Sequence, residues 1–137
     1  WQQAKHLAWL RTRPDPVPAE IRRRLREAEG PCLLTAKLGS LVIEAGKPAI
    51  FDIADFVRLQ ELGRWSAATT LVPLVEGKRF PLIGLAEFPG DHAAAPHFDA
   101  RRIEGLVPAI ERSYRRLDAV LDDPKSRQKG SFWIPKD

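Results

Sequence analysis

Methionine is absent from this chain, cysteine and tyrosine occur once each, and histidine only three times. One cysteine excludes an internal disulfide framework and a cysteine-based zinc cluster. Cys32 lies in the apolar run Cys32-Leu33-Leu34 and reads as a small buried hydrophobe rather than a reactive thiol. A complete gene product starts with Met, whereas this sequence starts at Trp1, so a processed protein or a piece of a longer one is expected. No stretch approaches the roughly 20 apolar residues that span a bilayer, and no signal peptide is visible. No phosphate-binding glycine loop occurs, because Gly77-Lys78 lacks both the upstream glycine and the following Ser or Thr. There is no Gly-x-Ser-x-Gly elbow either. Of the histidines, His92 and His97 share a loop with Asp91 and Asp99. Those residue types can ligate a metal, but their spacing matches no standard pattern, so an exposed loop is expected and neither metal nor cofactor is assigned.

What remains is ordinary globular material. The 137 residues suit one domain, and 44% hydrophobic with 29% charged content allows a core and a solvated surface. A net charge of +4 is too modest to mark a nucleic-acid binder, and no nucleic-acid partner is expected.

Residues 1–17 read as a linker or membrane-exit segment and residues 18–137 as a single α/β domain. Trp1, Trp9, Arg11 and Arg13 suit the flank of a membrane helix, and Pro14, Pro16 and Pro18 then stiffen the chain. Pro18 opens a helix to about Glu29, with Val17, Ile21, Leu25 and Ala28 on one face. Strands are expected at Cys32–Ala36, Pro48–Asp52 and Phe80–Phe88. Helices are expected at Leu38–Ala45, Ile53–Leu62 and from Ser66 through Val75, where Pro73 marks an early turn or a kink. A long helix over residues 99–114, kinked at Pro108, would precede strands at Arg116–Leu121 and Ser131–Pro135, paired as an antiparallel edge hairpin. The alternation predicts a small three-layer, Rossmann-like α/β domain with a mostly parallel sheet.

Candidate site residues follow from that layout. Asp52 and Asp55 fall where the second strand meets the next helix, the edge at which open α/β sheets bind ligands. Two carboxylates there would serve as acid and base or hold sugar hydroxyls; equally, they would cap the helix. Arg64 and Trp65 would stack a sugar or bind an anion, or else close the helix and anchor the core. Arg22, Arg23, Arg24 and Arg26 would face lipid phosphates, or simply water. No nucleophile and base stand together, so no catalytic residue is assigned.

One resemblance is specific. Gly30-Pro31-x-Leu33-Leu34, Leu38-Gly39-x-Leu41-Val42, Ala45-Gly46-Lys47-Pro48, Phe51-Asp52-x-x-x-Phe56, Gly63-Arg64-Trp65 and Arg79-Phe80-Pro81-Leu82-Ile83 follow in order. This series resembles the soluble C-terminal tail of polytopic bacterial GT-C membrane glycosyltransferases, over about Ile21–Tyr114 with an echo at Phe132-Trp133-Ile134-Pro135. The chain departs from that pattern at Thr35-Ala36-Lys37, at Ile53 and in its longer Pro89–Asp99 loop. The resemblance implies a periplasmic, non-catalytic domain packed on the membrane domain of its own polypeptide. It would help position an acceptor glycan or a polyprenyl-phosphate sugar donor. The family's catalytic carboxylate lies between membrane helices and has no counterpart here. The alternative is a free-standing binding or regulatory module for an acidic partner or nucleic acid.

Overall fold

A computed structural model describes residues 16–35, 38, 41, 44–46, 53–90, 96, 99–124 and 127–137. Helix α1 (Ala19–Glu27) starts on Pro18, whose carbonyl accepts from the amides of Ile21 and Arg22 at 3.0 and 3.2 Å. It buries Ile21 and Leu25, one turn apart. Strand β1 (Leu33–Leu34), helix α2 (Ile53–Glu61), helix α3 (Leu71–Glu76) and strand β2 (Ile83–Glu87) follow. Helix α4 (Leu106–Ser113) leads directly into the hairpin of β3 (Tyr114–Asp123) and β4 (Gln128–Pro135). Among the described residues, no helix is long and apolar enough to cross a membrane.

The sheet is mixed, with strand order β1-β2-β4-β3. β1 and β2 are parallel, while β4 is antiparallel to both β2 and β3. The expected mostly parallel sheet is therefore corrected to one parallel pair and two antiparallel pairs among the described strands. A hairpin can only pair antiparallel, and once β4 inserts beside β2 its direction fixes both of its ladders. The edge hairpin itself forms as expected. The strand expected at Pro48–Asp52 lies outside the described residues, and the helix at Leu38–Ala45 is described only at positions 38, 41, 44 and 45.

The helix expected over residues 99–114 also changes form. Residues Ala100–Arg102 make a short 3-10 turn, and Gly105 reverses the chain with φ 77° before α4 begins. Pro108 is then the third residue of α4, where its missing N–H would have no helical partner anyway, so it opens the helix instead of kinking it. Pro73 holds the same place in α3.

Strand alternation sends side chains to opposite faces of the sheet. Leu33, Ile83 and Trp133 stand side by side on one face, packed with Ile53 and Val57 of α2, Leu71 and Val75 of α3, and Ile110 of α4. Leu34 and Phe132 point to the other face, with Ile21 and Leu25 of α1. Between Leu34 and Phe132 in the same row sits Gly84. A Cβ there would lie 2.5 Å from Leu34 Cδ2 and 3.1 Å from Phe132 Cε1, so no other residue fits without displacing both neighbours. Where β1 ends, the buried Thr35 hydroxyl accepts from the Ala86 amide at 2.9 Å and extends the ladder.

Tyr114, fully buried, joins α4 to the sheet. Its hydroxyl donates to the Phe80 carbonyl at 2.9 Å and accepts from the Phe80 amide at 3.1 Å. Burial raises its pKa above the ordinary value of 10. Below that value both folded and unfolded states hold the phenol neutral. Above it the unfolded state ionises first, so stability falls as pH climbs through the window that starts near 10.

Two outcomes follow. Gly84→Ala will lower unfolding free energy by about 1–3 kcal/mol, measured in denaturant. Tyr114→Phe strands both polar groups of Phe80 and will cost about 1–3 kcal/mol. Because Tyr114 is the sole tyrosine, tyrosinate absorbance in the wild type will report one titration, above the ordinary range and coincident with alkaline unfolding.

Candidate functional site

The structure spreads the sequence-derived candidates along α2. Asp55 is exposed in its first turn, and Asp52 lies outside the described residues. At the other end Gly63, with φ 69°, closes the helix. Its amide donates to Gln60 O at 3.0 Å, and the Arg64 amide to Leu59 O at 2.9 Å. Arg64 is exposed and lies beyond the C-terminal end of the helix whose first turn holds Asp55. Trp65 turns back along the helix, half-buried, with its ring 4.7 Å from that of Phe56 and tilted 56°. Trp65 thus packs on the core, while Asp55 and Arg64 are not brought together.

The arginines of α1 are largely matched by carboxylates. Arg22 pairs with Glu44 at 2.9 Å, Arg23 with Glu27 at 3.4 Å and Arg24 with Glu20 at 3.0 Å; Arg26 is exposed. Cys32 is buried. His6, Asp91, His92 and His97 lie outside the described residues. Among those that are described, no group of three His, Cys, Asp or Glu side chains could hold a metal.

A different place gathers more chemistry. A groove of about 510 Å³ opens at the carboxyl end of β2, the end of a parallel strand pair where α/β folds present ligand sites. Its floor comes from strand alternation. Register pairs Leu85 with Ser131 and Arg116 with Trp133, so β2, β4 and β3 all contribute to one face. Glu87, two residues beyond Leu85, pairs with Arg116 at 3.0 Å. The Trp133 indole N–H donates to Ser131 Oγ at 3.0 Å, and the ring is half-buried in the wall. On α4, Val107 and Glu111 sit one turn apart and form the facing wall.

Asp99 and Arg101 bolt the remaining side. Asp99 is buried, and its Oδ1 accepts from the Arg101 amide at 2.9 Å, capping the 3-10 turn. Its Oδ2 accepts from Arg101 Nε at 2.9 Å and Nη2 at 2.7 Å. The same guanidinium donates to Phe88 O at 3.2 Å and Gly90 O at 2.8 Å, tying the end of β2 to the turn. The Glu111 side chain has no hydrogen bond or ion pair among the described residues; its main-chain oxygen accepts from Lys136 Nζ at 3.0 Å.

The arrangement offers an indole on the sheet and acidic acceptors on β2 and α4. It suits a hydroxyl-bearing organic ligand in a cleft of ligand size. Glu87, Arg101, Glu111, Arg116 and Trp133 escape a linear search because each comes from a different element. The alternation in Ser131-Phe132-Trp133-Ile134, with Phe132 inward on one face and Trp133 on the other, is the signal that was available.

No known protein family, no characterised protein and no solved structure matches the chain.

The buried and exposed ion pairs should separate on mutation. Asp99→Asn, which removes the charge under Arg101, will cost about 1–3 kcal/mol in denaturant unfolding. Arg23→Ala, in an exposed pair, will change stability by less than about 1 kcal/mol.

Proposed function

We propose that this chain is a saccharide-binding α/β domain, built on a three-layer, Rossmann-like plan, that serves a bacterial GT-C-type membrane glycosyltransferase. It lies on the periplasmic face and packs on the membrane domain of the same polypeptide. That domain carries out transfer from a polyprenyl-phosphate sugar; this one holds a saccharide for it and is not itself catalytic. The groove at the end of β2 carries the reading, because Trp133 and the carboxylates of Glu87 and Glu111 line it together. An indole covers the apolar C–H surface of a sugar ring, and carboxylates accept from its hydroxyls. The motif series from Gly30 to Ile83 supports the assignment to a glycosyltransferase tail. The α1 arginines, with three of four spent on Glu20, Glu27 and Glu44, make a weaker phosphate surface than the groove makes a sugar site.

The test is calorimetric titration of the chain with soluble oligosaccharides. Trp133→Ala will weaken binding about tenfold, equivalent to ~1.4 kcal/mol. Asp55→Ala and Arg64→Ala, on α2, will leave it unchanged if the groove is the site. Wild-type affinity that survives both Trp133→Ala and Glu111→Gln, or no saccharide binding at all, sinks the reading.

A further inference from the structure

The charges of the groove carry its ligand class further. Five ionised side chains line it: Glu87, Asp99, Arg101, Glu111 and Arg116. Each cation has a carboxylate partner. Arg116 is held by Glu87 at 3.0 Å. Arg101 spends Nε, Nη1 and Nη2 on Asp99, Phe88 O and Gly90 O, all within 3.2 Å. A phosphate entering here meets an Arg101 whose donors already point at other acceptors and an Arg116 whose charge is already balanced by Glu87. Glu111 is the carboxylate that no described residue pairs. Lys136 binds its main-chain oxygen without forming an ion pair with the carboxylate. The described lining thus carries two positive and three negative charges, and the surplus sits on the α4 wall opposite the sheet with Trp133.

Resting on the saccharide-binding reading above, we infer that the groove takes a sugar bearing a free primary amine, with the ammonium on the Glu111 carboxylate and against the Trp133 indole. A carboxylate and an aromatic face are the two groups that hold an organic ammonium, by charge-assisted hydrogen bonding and by cation–π attraction. The same surplus disfavours a phosphate-linked sugar. The groove therefore receives the amine-bearing partner in the transfer, and the anionic donor is bound elsewhere.

The experiment compares three probes on the whole chain by calorimetry at pH 6, below the pKa of a sugar amine. They are a glucosamine oligosaccharide, the N-acetylglucosamine oligosaccharide of equal length, and glucosamine 1-phosphate. The amine form should bind about tenfold more tightly than the acetylated form, and Glu111→Gln should erase the difference while leaving the thermal midpoint unchanged. Arg22→Ala, outside the groove, should alter neither affinity. Equal or tighter binding of the acetylated form, tighter binding of the phosphate, or a preference that survives Glu111→Gln overturns the inference but leaves saccharide binding standing. Binding of none of the three, nor of any neutral oligosaccharide, removes both.

Discussion

One missing side chain organises this fold. β2 is an interior strand, parallel to β1 and antiparallel to β4, and near its start Gly84 leaves the room that Leu34 and Phe132 fill from either side. All three belong to one row across the sheet. The close approach lets α1 seat Ile21 and Leu25 on a continuous apolar surface instead of over a ridge. On the opposite face the neighbours of that row, Ile83 and Trp133, carry α2, α3 and α4. A wider spacing at Gly84 would loosen both faces at once, because interiors this densely packed transmit changes of a single methyl group.

Much of the chain was legible in its sequence because local rules agree with the final packing. The 3.6-residue spacing of Ile21 and Leu25, and the Gly63 stop, survive unchanged in α1 and α2. Other features depended on distant partners. Residues 99–114 have a helical stripe, yet Gly105 breaks them, and Tyr114 leaves the helix for the sheet because its hydroxyl is pinned to Phe80, thirty-four positions earlier. Sheet direction is set by distant partners too. Alternating strands and helices suggest parallel crossovers, but nothing local says that β4 will insert between β2 and its own hairpin partner.

The candidate site divides along the same line. Asp55, Arg64 and Trp65 could be picked out since each sits at a helix end, where sequence punctuation is strong. The groove could not, since its walls come from β2, β3, β4, α4 and the 3-10 turn, and it exists only after the register is set. Its ionic character is equally non-local. Arg116 is neutralised by Glu87 across two strands, whereas Arg101 is matched by Asp99 only two residues away. Composition counts these groups as equal charges; geometry distinguishes those paired among the described residues from Glu111, which is not.

The strand order has a consequence for how the chain reaches this state. β1 and β2 are made early and lie fifty residues apart in register, Leu33 opposite Ile83. β4 comes forty-odd residues after β2 and enters the sheet's interior, not its edge. A ribosome delivering the chain from its N-terminus therefore exposes one long side of β2 until β4 emerges. The β3–β4 hairpin, whose strands follow one another closely in sequence, is the local unit able to form first. Completion of the sheet is then a docking event, in which a preformed ribbon is captured by a waiting central strand.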